Sequence, residues 1–389
     1  MTKREKAIIF FEIVLFIAIL IAVVSFIKVN IWEKPLGPEL GFEDTELPDS
    51  ATQTQGNNLD AELADTSTPT LESLGTQIPT GEVVVALELP TVAPDPHCDG
   101  PLEMTILAIG TDSRQDNYVY GLADVIRLVH VDFVTPRVAV LTFPRDLWVE
   151  VPGISVHHGI THSKLNQAYF YGTPVMGYYD GPGAGAGLLA RTLEQNFGLR
   201  VERYFVVNMR TFEDIINAVG GVNIYLPVAI DGTNVEKPED NMGYFPKGWN
   251  YLNGEEAVRF SRIRKIDTVF DRSNRQTKVL CALKEKLLRP STITKFPDLI
   301  NSFFGRVITD LSLAELFQLA CLAPQISTEN LVFASFPRDL FEPGHAYDYR
   351  GKRNWVWDVD FNGLSSYIDQ FLAGTWPLTT SDSNGITCP

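Results

Sequence analysis

Residues 104–147 read MTILAIGTDSRQDNYVYGLADVIRLVHVDFVTPRVAVLTFPRDL. Three apolar runs lie in this stretch: MTILAIG (104–110), VIRLVHVDF (125–133) and RVAVLTFP (137–144). Each is short and bounded by Gly, Pro or Asp, as buried strands are. A turn at Thr135-Pro136 joins the second run to the third. Pro144 cannot continue a central ladder, so the third strand stops there and delivers Arg145 and Asp146 at its carboxyl end.

Outward from this core, strands alternate with helices. NQAYFYG and GAGLLARTLEQNFG (185–198) predict helices, the second closed by Gly198. YFVVNM (204–209) predicts a strand. TFEDIINAVGG (211–221) predicts a helix with Thr211 as N-cap and Asp214 in the capping-box position, and the strand VNIYLP follows. GEEAVRFSRIR (254–264), SNRQTKVLCALKEKLL (273–288), 310–322 and 363–372 predict further helices. The class is therefore α/β or α+β, with helices covering a largely buried sheet.

The net charge of −16 is unevenly placed. Residues 31–97 hold thirteen acidic groups against Lys34 alone, so the rest of the chain is only mildly acidic. That balance excludes general nucleic-acid binding through a basic surface. The N-terminus opens MTKREK, then runs apolar from Ala7 to Ile27 with Glu12 as its one charge. This run is long enough to span a bilayer as an uncleaved helix. Lys3, Arg4 and Lys6 put residues 1–6 in the cytoplasm and everything after the span outside the membrane. Residues 28–97, acidic and rich in Pro, Thr and Ser, read as a disordered or extended tether that would hold a globular head off the membrane. Cys98, Cys281, Cys321 and Cys388 lie on the predicted outer side, where disulfides persist. A Cys98–Cys388 staple is expected, with Cys281 and Cys321 as buried free thiols.

Asp112, in GTDSR, and Asp124, at the start of the second strand, would come together if their strands are neighbours. Two hard oxygen donors suit Mg²⁺ (or Mn²⁺), which takes one or two carboxylates plus phosphates. Asp112 alone reads equally well as turn chemistry. Lys164 and Asn166 lie in HSKLNQAYFYG. Arg259, Arg262, Arg264, Arg272 and Arg275 crowd RFSRIR and DRSNRQ, with Gln276 next. One Arg is usually a solvated surface pair. So many in an acidic protein need an anionic partner, and guanidinium binds phosphate bidentately.

These motifs, in this order, resemble the LytR-CpsA-Psr family of cell-wall glycopolymer transferases. The resemblance runs from about Leu102 to Leu288 through GTDSR, Asp124, FPRDLWVEVPG, SKLNQAYFYG, NAVGGV, FPKGWNYLNGEEAVRFSRIR and DRSNRQ. It implies a catalytic domain at 98–289, with 290–389 as an extension packed on it. It implies a mixed sheet covered by helices, with an apolar groove for a polyprenyl tail. It implies transfer of a glycopolymer from a polyprenyl-diphosphate carrier to peptidoglycan, forming a phosphodiester. Asp112 and Asp124 would hold the metal, and one of them would help deprotonate the acceptor. Arg114, Arg145, Arg262, Arg264, Arg275 and Gln276 would hold the diphosphate beside Lys164 and Asn166, with Asp146 orienting Arg145. Two positions depart from the family pattern: Leu122 stands where an Arg is frequent, and Val269 where an acid is frequent. Leu122 keeps two other readings open, a non-catalytic polyprenyl-phosphate binder and a diphosphate hydrolase.

SFPRDL at 335–340 repeats TFPRDL at 142–147 except for its first letter. No second GTDSR or SRIR accompanies it, so it reads as an independent strand–Pro–charged turn. Trp355, Trp357, Arg350 and Arg353, which follow, are expected to rim an acceptor-glycan site.

Overall fold

The computed structural model describes residues 32–41, 95–113, 118–264, 269–289, 292, 305–377 and 388. The apolar run at 7–27, most of the predicted tether and Arg114 lie outside them. Among the described residues no helix is long and apolar enough to cross a membrane.

The chain forms β1 (Glu103–Thr111), β2 (Ala123–Asp132), β3 (Arg137–Phe143), β4 (Trp148–Glu150) and β5 (His162–Lys164), then helices α1 (Leu165–Tyr171) and α2 (Ala184–Phe197). Next come β6 (Arg203–Asn208), α3 (Met209–Ala218), β7 (Val222–Leu226), β8 (Ile230–Asp231), β9 (Tyr244–Phe245) and β10 (Gly248–Leu252). Helices α4 (Gly254–Arg262) and α5 (Val269–Leu287) precede β11 (Ile308–Thr309), α6 (Leu313–Leu322) and β12 (Leu331–Ser335). A hairpin of β13 (Phe341–Tyr347) and β14 (Arg353–Val359) leads to α7 (Phe361–Leu372).

The central sheet has the order β11-β6-β1-β2-β3-β12 and is mixed. β1 runs antiparallel to β2 and β2 to β3, while β6 and β12 lie parallel to β1 and β3. Its middle strands are covered on both faces, which is why they read as near-continuous apolar runs; Leu107, Ile126, Leu128 and Leu141 are fully buried. Phe197 of α2 meets Phe143 on one face of β3. On the other face, Leu280 and Cys281 of α5 pack with Val140 and with Leu331 and Phe333 of β12. A satellite core binds α3, β7, β10 and α4 around Ile216, Ile224, Leu252 and Phe260.

Local signals account for most helix starts. Asn253 with Glu256, and Ser312 with Glu315, form capping boxes at α4 and α6. The predicted cap of α3 is displaced. Asn208, not Thr211, caps it, by accepting the Thr211 N–H at 2.7 Å. The strand therefore hands over to the helix with no loop, because one Asn ends the ladder and opens the helix.

Three expectations change. Both disulfides differ from the expected staple: Cys98 pairs with Cys321 and Cys281 with Cys388, leaving no free cysteine. The fold brings α6 to Cys98 and lays α5 beside the C-terminus, a partnership that sequence separation does not reveal. Residues 32–41, read as part of the tether, pack on the domain. Trp32 stacks on Phe317, Leu36 N–H donates to the Leu311 carbonyl, and Leu40 is buried. Residues 290–389 are more than an addition, since β11 and β12 form both edges of the central sheet.

Candidate active site

Five stretches of chain meet at one end of β2 and β3. β1 and β2 are antiparallel neighbours, so the residue after β1, Asp112, and the residue beginning β2's buried run, Asp124, share one end of the sheet. Their loop closes tightly. Asp112 N–H donates to the Leu122 carbonyl, and Leu122 N–H returns a bond to Asp112 Oδ1 at 2.7 Å. Gly121 has φ +156°, and a Cβ there would lie 2.8 Å from Thr111 Oγ1, so this closure needs glycine.

β3 delivers Arg145 and Asp146. Arg145 pairs with Asp124 through Nη1 and with Asp146 through Nε at 3.2 Å. Asp146, nearly buried, also accepts Lys164 Nζ at 2.8 Å. Lys164 ends β5 and immediately precedes α1, whose first turn presents Asn166; the Asn166 N–H donates to the Arg145 carbonyl. Asn166 is buried and its side-chain oxygen has no partner among the described residues. Arg264, just past α4, reaches Asp124 at 3.4 Å. Together these groups line a cavity of about 290 Å³, with Leu122, Gln167 and Asn354 completing its wall.

Burial opposes the charge on Arg145, but Asp124 and Asp146 outweigh it and raise its pKa above the ordinary value. Arg272 is different. It is buried, and desolvation pushes its pKa down to about 10; Arg145 lowers it further while Asp124 opposes. Three cations (Arg145, Lys164, Arg264) thus line the cavity among three carboxylates, and buried Arg272 adds a fourth within electrostatic reach behind them. A cluster with excess positive charge in a half-dry pocket is built to receive phosphate oxygens.

Not every predicted residue joins them. Arg262 lines a separate cavity with Arg210, Asp214 and Glu255. Arg275 is buried under the end of α4, where it donates to the Phe260 and Ile263 carbonyls at 3.2 and 2.6 Å. Its guanidinium caps that helix. Gln276 donates to the Ser261 carbonyl at 3.5 Å. Conversely, Gln167 and Asn354 line the cavity unanticipated, and Arg272 was visible in DRSNRQ but not singled out for the site. Asn354 sits on a hairpin that carried no motif. Among the described residues no group of three His, Cys, Asp or Glu side chains is arranged to hold a metal ion. Asp112 and Asp124, the two expected metal ligands, both line the cavity, where Asp124 also pairs with Arg145 and Arg264.

The sequence matches the model of the LytR_cpsA_psr family over residues 93–367. It is 32% identical over 216 residues to the polyisoprenyl-teichoic acid–peptidoglycan teichoic acid transferase TagU of Oceanobacillus iheyensis, covering 55% of this chain and 60% of that one. It is 28% identical to the corresponding transferase TagV of Bacillus subtilis, covering 54% and 50%, and 29% identical to the regulatory protein MsrR of Staphylococcus aureus, covering 57% and 61%. The match thus spans half to three fifths of these relatives. The crystal structure of B. subtilis TagV superposes with a TM-score of 0.52 at 23% identity, over 70% of this chain and 97% of that one. TagT bound to LIIa-WTA gives 0.52 at 21% identity, over 72% and 91%. These likenesses concern the fold.

Proposed function

We propose a function from the premise that this chain belongs to the LytR_cpsA_psr family: it transfers a glycopolymer from a polyprenyl-diphosphate carrier to peptidoglycan. The observation that carries this reading is the convergence of Asp112, Asp124, Arg145, Asp146, Lys164, Asn166 and Arg264 on one cavity. The acceptor hydroxyl attacks the sugar-linked phosphorus. The bond to the prenyl phosphate breaks, a phosphodiester forms, and the polyprenyl monophosphate leaves with the displaced charge.

Phosphoryl transfer asks for positioning and charge neutralisation more than covalent help. Arg145, locked by Asp124 and Asp146, holds its guanidinium fixed before substrate arrives, so no reorganisation is spent at the moment of reaction. Lys164, Arg264 and Arg272 neutralise the remaining diphosphate charge. One of Asp112 and Asp124 would take the acceptor proton; Asp112, whose Oδ1 accepts the Leu122 amide, is the one not paired with Arg145 and Arg264. A Mg²⁺ or Mn²⁺ ion held by Asp112 and Asp124 would supply Lewis-acid stabilisation of the phosphate oxygens. Of the further residues that the family resemblance implies for the diphosphate set, Arg114 is kept in this reading, whereas Arg262 lines another cavity and Arg275 and Gln276 donate to carbonyls of the α4 end. An apolar groove under the helices would take the prenyl tail.

The chain is anchored by a helix at 7–27, N-terminus inside, with its domain outside the cytoplasm. Trp32, already packed on the domain, is then only five residues past the span, so its backbone lies within about 18 Å of the bilayer. The phosphate cavity belongs to a head tethered closely to the membrane in which its carrier lies.

A second reading, a non-catalytic polyprenyl-phosphate binder, draws on Leu122, an apolar side chain in the cavity wall. Mass spectrometry of lipid retained by the purified full chain, paired with a transfer assay, separates the two. Transfer lost in Asp112→Asn with lipid retained supports the enzyme. A wild-type chain that retains lipid and transfers nothing supports the binder. No polyprenyl phosphate, even when offered, overturns both.

A further inference from the structure

A second cavity, of about 520 Å³, opens beside the phosphate pocket between the β4–β5 ribbon, α2 and the β13–β14 hairpin. Its lining includes Trp148, Glu150, His162, His345, Trp357 and Asp358. No Lys or Arg lines it. The neighbouring pocket, by contrast, holds Arg145, Lys164 and Arg264.

The two are joined by strand geometry. Trp148 lies opposite Lys164, and Glu150 opposite His162, in the antiparallel register. Directly opposed residues, and residues two apart, share one face of a ribbon. Lys164, Trp148, Glu150 and His162 therefore form one continuous surface, with Lys164 at the phosphate end and the other three leading away from it. β14 adds a second connection. Asn354 lines the phosphate pocket, while Trp357 lines the groove and donates its backbone N–H to the Asp146 carbonyl at 3.0 Å. The indole N–H of Trp357, itself buried, has no acceptor among the described residues.

We infer that this groove seats the acceptor, an uncharged N-acetylated amino-sugar strand of peptidoglycan, and points its hydroxyl at the phosphate pocket. The inference rests on the transferase reading. Sugars present C–H faces that stack on aromatic rings and hydroxyls that donate to carboxylates, and this lining offers both. Charge decides between the two substrates. A phosphate-rich donor polymer would meet Glu150 and Asp358 with no cation to offset them, whereas a neutral glycan pays no such penalty. Of the expected rim, Trp357 lines the groove, whereas Trp355, Arg350 and Arg353 do not.

The test titrates the full chain in detergent with tetra-N-acetylchitotetraose, following tryptophan fluorescence, and measures acceptor and donor KM in the transfer assay. Glu150 and Asp358 are exposed, so Glu150→Gln/Asp358→Asn keeps the fold. It is expected to weaken chitotetraose binding and raise acceptor KM about tenfold, with donor KM unchanged, since each amide keeps a neutral hydrogen bond and loses only charge assistance, about threefold per site. Trp148→Ala is expected to abolish the fluorescence change. Transfer with an unaltered acceptor KM in the double variant overturns the groove and leaves the transferase standing. Saturable chitotetraose binding lost in the double variant, without any transfer by the wild type, supports the glycan groove and refutes the transferase. No saturable binding by the wild type overturns the groove.

Discussion

TFPRDL at 142–147 and SFPRDL at 335–340 end neighbouring strands. β3 and β12 run parallel, with Thr142 beside Ser335, and the following Phe143 and Phe336 meet ring to ring at 5.4 Å. The same letters leave the same edge of the same sheet, one strand apart. Their fates then diverge. Arg145 turns into the cavity between Asp124 and Asp146. Arg338 instead pairs with Asp271 at 3.1 Å and lies over the Phe270 ring, both contacts close to solvent. Asp146 is nearly buried and holds two cations, whereas Asp339 is exposed. A strand, a Pro stop and a charged turn make a launching point. What the launched residues do depends on which strands flank it, and only β3 has β2 and Asp124 at its side.

The strongest way to break this comparison is to remove each Arg in turn. Arg145→Ala is expected to cut transfer about 10²–10³-fold, the cost of deleting a preorganised charge contact. Arg338→Ala is expected to stay within about twofold. Equal losses, measured on the purified full chain with a lipid-linked donor, would erase the distinction between the copies.

The next largest effect concerns the scaffold of the second copy. Cys388 is joined to Cys281 of α5, and both pack with Leu331 and Phe333 of β12. Cys281→Ser/Cys388→Ser is expected to cost about 2–5 kcal/mol, given the 107-residue separation. Denaturant unfolding with and without reductant measures it; coincident midpoints for wild type and variant would refute it.

The opposite edge offers a pH test. Asp310 follows β11, is buried, and accepts the Tyr204 N–H at 2.7 Å. Burial raises its pKa to about 6 from 3.8, against the opposing pull of that amide. The folded state therefore favours the neutral acid. Its contribution to stability is full below about pH 4 and is lost as pH rises through about 6. Relative to Asp310→Asn, the wild type is expected to lose up to about 3 kcal/mol between pH 4 and pH 7. Parallel stability curves for the two proteins would contradict this assignment.

The smallest effect is the stability of the Arg338–Asp271 pair. Both side chains are more than a third exposed, so Arg338→Ala is expected to cost under about 1 kcal/mol. A much larger cost would show that the second copy is a structural anchor rather than a solvated turn.

The site was partly legible in advance because some of its residues lie at strand ends that apolar runs announce. Asp112, Arg145 and Asp146 follow directly from where MTILAIG and RVAVLTFP must stop. Lys164 and Asn166 open a helix, a position set by local signals. The Arg cluster was legible only as a cluster. Arg264 joins the cavity, Arg262 lines another, and Arg275 caps α4, because position along the helices aims each guanidinium differently. Trp357 stood out as one of two neighbouring tryptophans, but Asn354 carried no local signal, since its hairpin is brought to the cavity by contacts with Leu147 and Asp146, about two hundred residues earlier.

The sequence by itself determined the alternation of strands and helices, the three central strands and the carboxylate and cation types the chemistry needs. These are local quantities, fixed by periodicity and by what Pro and Gly permit. The tertiary structure alone decided the disulfide partners, the docking of residues 32–41, the seating of β12 beside β3 and the division of labour between two identical turns. Each of these is a contact between distant segments, chosen by which faces must be buried together, and no short stretch of chain contains that information.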